Sequence, residues 1–149
     1  EKVFPGEAQI MSAGDGIEHS EFNELHDKPC HIFQIWISSA KEHSKPAYSM
    51  RKYGLPTETG IQLIASNKEV DDVLMINQEL RLYRGIVKAG EVYEHKTKVK
   101  YGHWIQVISG NIELNGLGVE AGDGCAIENI DKLTITGTTD ADFLFFHLT

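Results

Sequence analysis

The sequence has little of several features that fix a fold class at once. Its 149 residues contain only two cysteines, Cys30 and Cys125, which lie far apart and outside any Cys-x-x-Cys spacing. Neither a disulfide framework nor a zinc ribbon is therefore indicated, and a reducing, cytoplasmic location is expected. Because no apolar run reaches the roughly eighteen residues of a membrane helix, we also expect no contact with a membrane.

Basic residues are scarce as well. Fourteen lysines and arginines stand against 22 aspartates and glutamates, which gives a formal net charge of −8. The lysines at 96, 98 and 100 are too few to form a basic face, and an acidic protein repels the phosphate backbone. Direct binding to nucleic acid is therefore not expected.

No long segment has the period of an amphipathic helix. Short runs rich in β-branched and aromatic residues, separated by glycine, asparagine, aspartate or proline, instead predict β-strands. These predicted strands cover residues 31–37, 61–66, 80–87, 103–109, 111–115, 132–137 and 142–148. Many short strands in succession favour an all-β barrel or sandwich.

The connections between these strands predict three further features. Residues 38–59 are polar and contain two prolines, which predicts a long loop with a short helical turn near 47–52. Ser109-Gly110-Asn111 predicts a hairpin between its flanking strands. A weak boundary near residues 67–72 marks a junction between two domains.

His19 and Glu21 are the candidate metal ligands. Alternate residues of an extended strand project to one face, so this imidazole and this carboxylate can converge on one ion. Their donor atoms suit iron, manganese, nickel, copper or zinc. Two donors alone do not hold such an ion, and an exposed polar pair on a surface strand is the alternative interpretation.

The surrounding residues give this pair a context. The segment MSAGDGIEHSE (11–21), followed by HIFQIWI, WIQVISGNIELNG and VEAGDGCAI, resembles the pirin family of the cupin superfamily. The resemblance implies an all-β jelly-roll cupin, the carboxy-terminal part of a bicupin that is truncated at its amino end. Residues 1–66 are then the remainder of the amino-terminal cupin and carry the ligand strand, and residues 67–149 are a carboxy-terminal cupin without metal.

The resemblance also implies a metal site. Pirins hold one metal, usually iron, through two histidines on a His-x-His strand and a His and a Glu on a later strand. His19 and Glu21 match the later pair, whereas the His-x-His pair has no counterpart in this sequence. The implied cofactor of the full-length protein is Fe²⁺ or another first-row divalent metal. The chain as given is expected to bind no metal and to be inactive.

Two functions follow from the resemblance. Some pirins cleave flavonols such as quercetin with dioxygen, and Glu21 is then both a ligand and the candidate catalytic base. Other pirins are non-enzymatic, redox-responsive partners of regulatory proteins. An unpaired barrel edge also predicts self-association.

The second barrel carries an incomplete cupin signature. The segment from Gly90 places His95 at one ligand position and Thr97 where a second histidine is expected, while His103 occupies the glutamate position and Leu133 the last histidine position. With at most two ligands of four, this barrel is predicted to be structural, and His95 and His103 to be exposed or hydrogen-bonded.

The remaining notable side chains receive structural interpretations. His147 is predicted to point outward near the end of the last strand. Trp36 and Trp104 are predicted to lie in the core. The histidines of polar loops, expected to be solvated, are His26, His31 and His43.

Overall fold

The computed structural model describes residues 2–40 and 45–149, which contain β-strands and turns. In this part of the chain no helix is long and apolar enough to cross a membrane. The strands are β1 Glu7–Ser12, β2 Ala47–Lys52, β3 Gly60–Ser66, β4 Leu74–Met75, β5 Leu80–Val87, β6 Val92–Lys96, β7 Gly102–Ser109, β8 Asn111–Leu114, β9 Leu117–Glu120, β10 Gly124–Ile127, β11 Lys132–Gly137 and β12 Ala141–Leu148. The all-β prediction is confirmed.

These strands form three sheets. The largest has six strands in the order β10-β7-β12-β5-β3-β4, and the second has four in the order β6-β11-β8-β9. β1 and β2 form a separate antiparallel pair. Only β3 and β4 pair in parallel among the described strands. The two larger sheets belong to the barrel, and the small pair precedes it in the chain.

Alternation along β7 and β12 builds the barrel core. In β12 the side chains of Phe143 and Phe145 are fully buried, and Ile105 of β7 is buried beside them. Leu133 and Ile135 of β11 complete this core from the four-stranded sheet. Residues two apart share one face of a strand, so the sequence pattern places these side chains between the two sheets.

The opposite face of the six-stranded sheet holds a second apolar cluster. Leu80, Leu82 and Leu144 are buried there, and Ile10 of β1 and Tyr53 pack against them. The Tyr53 hydroxyl also donates a 2.7 Å hydrogen bond to the Ile64 carbonyl. The amino-terminal segment is thus fastened to the outside of the barrel.

The predicted hairpin at Gly110 is wrong in its pairing. β7 belongs to the six-stranded sheet and β8 to the four-stranded sheet, so Gly110 lies at a corner where the chain changes sheets. Its φ is +76°. A Cβ at this position would also collide with the backbone of Asp140 and Ala141. Glycine is required here by both conformation and close approach.

Two further predictions are wrong. Residues 31–37 form no strand, and residues 47–52 are strand β2 rather than a helical turn. β2 finds a hydrogen-bonding partner in β1, whereas no strand pairs with 31–37 in the described part of the chain. Trp36 is 90% exposed rather than in the core, and Trp104 is partly exposed. Part of the predicted 38–59 loop, residues 41–44 with His43, lies outside the described residues.

The domain junction stays a prediction. β3, which ends at Ser66, pairs with β5 inside the six-stranded sheet. The residues just before the predicted junction are therefore bonded to the barrel that follows it.

The barrel core generates the first testable prediction. Replacing Phe143 by alanine should lower the free energy of unfolding by about 3–5 kcal/mol, because a fully buried ring is removed and a cavity remains. The same substitution at Phe22, which is 84% exposed, should change it by about 0.5 kcal/mol or less. Urea denaturation of both variants checks the difference, and equal losses would contradict this description of the core.

Candidate functional site

The candidate site lies in the segment that follows β1. Gly16 donates a 2.8 Å backbone hydrogen bond to Ala13, which closes a turn immediately before the candidate ligands. Gly14 and Gly16 both have positive φ, +55° and +131°. These positive φ values explain why glycine stands at both positions of the turn.

The predicted ligand strand is not formed. Residues 13–40 contain no strand, and both His19 and Glu21 are exposed. A strand requires a neighbouring backbone to satisfy its amide and carbonyl groups, and the described residues supply no such neighbour for this segment. Whether both side chains bind one ion stays a prediction.

The Glu21 carboxylate is nevertheless held by two amide donors. Gln9 Nε2 of β1 donates to Oε1 at 3.0 Å. Gln34 Nε2 donates to Oε2 at 2.8 Å. The Tyr48 hydroxyl of β2 in turn donates to Gln9 Oε1 at 3.0 Å. We call Gln9 and Gln34 the carboxylate clamp, because they fix the plane of the group from two different segments.

The clamp leaves the carboxylate able to bind further groups. A carboxylate has about four lone-pair positions, and the two amides take one on each oxygen. Counting the clamp alone among the described residues, one position remains on each oxygen of Glu21. A metal ion and a substrate proton can be accepted by the same side chain.

The pair fits a metal by its chemistry but does not complete a site. Imidazole nitrogen and carboxylate oxygen are ordinary donors for first-row divalent ions. Within residues 2–40 and 45–149, no group of three or more histidine, cysteine, aspartate or glutamate side chains is arranged to hold a metal ion. His19 and Glu21 can thus be part of a ligand set whose other donors lie elsewhere.

An apolar groove of about 660 Å³ has Gln34 of the clamp in its lining. Gln34 lines one part of it, beside Phe33 and Trp36. Trp104 and Phe146, which point outward from the six-stranded sheet, line another part. The outer face of the barrel is therefore connected through Gln34 to the carboxylate of Glu21.

The second barrel contains a cluster of three histidines, His95, His103 and His147. The prediction that His147 points outward is wrong. Counting in steps of two along β12, His147 follows the buried residues Ala141, Phe143 and Phe145, and it is only 7% exposed. His103 is 2% exposed and lies opposite His147 in the register of β7 and β12. Period-two alternation places both rings inside the barrel.

Short contacts link the cluster across the two sheets. His95 Nε2 of β6 lies 3.4 Å from His147 Nδ1. His103 Nε2 shares a 2.7 Å hydrogen bond with Thr97 Oγ1, which confirms the hydrogen-bonded alternative for His103. Its buried Nδ1 has no hydrogen-bond partner among the described residues. The ring of Phe145 packs against both His95 and His103.

Burial keeps the cluster neutral. Desolvation lowers the pKa of His95 and, with the neighbouring His95 charge, the pKa of His103. Desolvation, aided by the charges of His103, His95 and Arg81, lowers the pKa of His147 to about 4. A charged imidazole is disfavoured in an apolar interior, so all three rings are uncharged at neutral pH.

Only part of these arrangements had a signal in the sequence. The amide clamp joins residues 12 and 13 positions away from Glu21, so no local spacing indicates it. The inward direction of His147 could be read from Phe143 and Phe145, which share its parity in a strand with a buried face.

Comparison with protein families gives two matches. The family model described as "Pirin" matches residues 1–37, and the one described as "Quercetinase C-terminal cupin domain" matches residues 63–148. The second match covers the barrel that contains the histidine cluster.

Several curated proteins match almost the whole chain. "Quercetin 2,3-dioxygenase" of Escherichia coli (strain K12) is 36% identical over 148 residues, which are 99% of this chain and 63% of that protein. "Pirin-like protein" of Caulobacter vibrioides is 30% identical over 145 residues, 96% of this chain and 62% of that protein. The chain spans less than two thirds of the length of these relatives.

Solved structures also match the fold of this chain. A crystal structure of YhhW from Escherichia coli has a TM-score of 0.93 and 36% identity and covers 100% of this chain and 63% of that one. A structure of the bacterial pirin YhhW in complex with nickel(II) has a TM-score of 0.91 and the same identity, and covers 99% and 63%. The predicted cupin fold is confirmed.

The clamp generates the second prediction. If Glu21 is a metal ligand, replacing Gln34 by leucine should weaken Ni²⁺ binding by the full-length protein about tenfold, since the carboxylate loses one of the donors that orient it. Titration calorimetry measures the change. Gln62→Leu, in β3 and away from Glu21, is the matched control. Unchanged affinity in Gln34→Leu, together with lost affinity in Glu21→Ala, would contradict an orienting role.

Proposed function

Because the chain belongs to the pirin family, we propose that its full-length protein is a metal-dependent quercetin 2,3-dioxygenase, with His19 and Glu21 as half of the ligand set. The observation that carries this proposal is the Glu21 carboxylate, oriented by two amides two residues after an exposed imidazole. The names of the relatives support a flavonol, a small aromatic molecule, as the substrate.

The metal is proposed to be a first-row divalent ion. Iron is the expected ion, and the nickel complex of YhhW supports this class of metal. His19 would donate one imidazole nitrogen and Glu21 one oxygen. Two further donors are required, and within the described residues no group of three or more metal-ligating side chains supplies them. The chain as given is therefore expected to bind no metal and to lack activity.

The residues of this chain have distinct roles in the proposed reaction. A bound metal would supply Lewis-acid polarisation at a flavonol oxygen. Glu21 accepts the proton of the flavonol hydroxyl on the lone pair that the clamp leaves free, provided that the hydroxyl comes within hydrogen-bond reach. Gln9 and Gln34 hold the carboxylate still during this transfer. His19 acts as a ligand only.

The groove is compatible with a small aromatic molecule. Phe33, Trp36, Trp104 and Phe146 offer apolar faces to flat aromatic rings, and the polar residues of the lining are Gln34, Gln78, Glu79 and Gln106. Small-molecule sites have this composition of apolar walls with a few polar groups. A redox-responsive regulator, the alternative function, requires no such groove.

The direct test is oxygen uptake by the full-length protein with quercetin, after loading with Fe²⁺ or Ni²⁺. We expect uptake well above that of the metal alone. Glu21→Gln should reduce it by about a hundredfold or more, because both the base and a charged ligand are removed. His19→Ala should release most of the metal, as measured by elemental analysis.

The control is His26→Ala, which removes another exposed histidine of the same segment and should leave uptake unchanged. No uptake by the metal-loaded protein would contradict the enzymatic proposal and leave the regulator. A cytoplasmic location belongs to the same proposal and rests on two free cysteines. Self-association stays an expectation, to be checked by sedimentation velocity on the same samples.

A further inference from the structure

The histidine cluster joins an edge strand to the rest of the barrel. β6 pairs with β11 alone and stands at the end of the four-stranded sheet. Its residues alternate between exposed and half-buried, and the half-buried ones are Tyr93 and His95. The inward contacts of β6 are made by Tyr93, which packs against the barrel core, and by His95, with Thr97 following the strand.

Those contacts reach directly to the other sheet. His95 approaches His147 of β12, and Thr97 bonds His103 of β7. The His95–His147 contact is a hydrogen bond only while one of its two nitrogens lacks a proton, since an acceptor nitrogen must have a free lone pair. Once both rings are protonated, two N–H groups face each other.

We propose that His95, His103 and His147 form an acid-sensitive latch, which holds β6 against β7 and β12 while the rings are neutral and releases it when they gain protons. This inference concerns the second barrel and does not depend on the proposed dioxygenase activity.

The charges around the cluster oppose protonation. Arg81 of β5, paired with His147 in the register, adds a positive charge. Tyr101, whose ring lies 5.0 Å from that of His147, has Lys98 and Lys100 at its own face. From the barrel interior the neighbours are Phe145, in contact with His95, and Leu133, opposite His95 on β11. A protonated ring of the cluster would therefore lie beside cations and apolar side chains, and both disfavour its positive charge.

The direction of the pH effect follows from these surroundings. The closed barrel holds His147 with a pKa of about 4, whereas a solvated histidine titrates near 6.5. The open form therefore binds protons more readily below pH 6.5. The latch is fully effective above that pH and is lost progressively as the pH falls toward about 4. Mildly acidic conditions should free β6 and uncover Tyr93.

Hydrogen–deuterium exchange of the protein tests this latch. In wild type, the protection factor of residues 92–97 should fall about tenfold or more between pH 6.5 and pH 4.5 relative to that of β5, a central strand of the six-stranded sheet that reports global unfolding. His147→Phe keeps a buried aromatic ring without a titrating group and should reduce the fall to about threefold or less. His26→Gln, the exposed control, should keep the wild-type fall.

If His147→Phe folds poorly, a second variant and a direct titration still decide the test. His95→Gln retains an amide donor for His147 and should also blunt the fall. In wild type, the NMR signal of His147 should titrate near pH 4. Protection of 92–97 that persists to pH 4.5, or that falls equally in wild type and in both variants, would overturn the latch. A Ni²⁺-dependent rise in melting temperature would also overturn the latch if it persists in the double variant His19→Ala/Glu21→Ala but disappears in His147→Phe.

Discussion

The two-residue alternation of β7 and β12 is the constraint on which the rest of the structure depends. One face of these central strands carries Ile105, Phe143 and Phe145 into the barrel, and the other carries Leu144 toward the amino-terminal segment. Because both faces are apolar, the sheet must be covered on both sides. The same alternation turns His103 and His147 inward and Trp104 and Phe146 outward, so the latch and the groove lie on opposite faces of one sheet.

Strands with a clear buried face were predictable. The predicted ranges 61–66, 80–87, 103–109, 132–137 and 142–148 agree with the observed strands to within one residue at each end. The strands missed in the barrel, β4, β6, β9 and β10, are short and partly exposed, so their apolar pattern is weak. Asn115-Gly116, both with positive φ, forms the turn of the β8–β9 hairpin, and an Asn-Gly pair between strands is a sequence signal for such a turn.

Of the candidate site, only the donor chemistry of the His19–Glu21 pair was predictable from the sequence. His19 and Glu21 stand out because alternate imidazole and carboxylate groups follow a glycine turn. Their surroundings were not predictable, since the clamp brings Gln9 and Gln34 together from two distant segments. The expected strand at 31–37 failed for the same kind of reason. Its composition suits a strand, but strand formation depends on a pairing neighbour that local composition does not describe.

The central claim is that His19 and Glu21 bind one metal ion. An anomalous-diffraction map of crystals of the full-length protein grown with Ni²⁺ tests it most directly. We expect one strong peak about 2.0–2.2 Å from a ring nitrogen of His19 and from an oxygen of Glu21, with the Gln9 and Gln34 amides still bonded to that carboxylate. A nickel peak bound by other residues, with the Glu21 carboxylate turned into solvent, would contradict the claim.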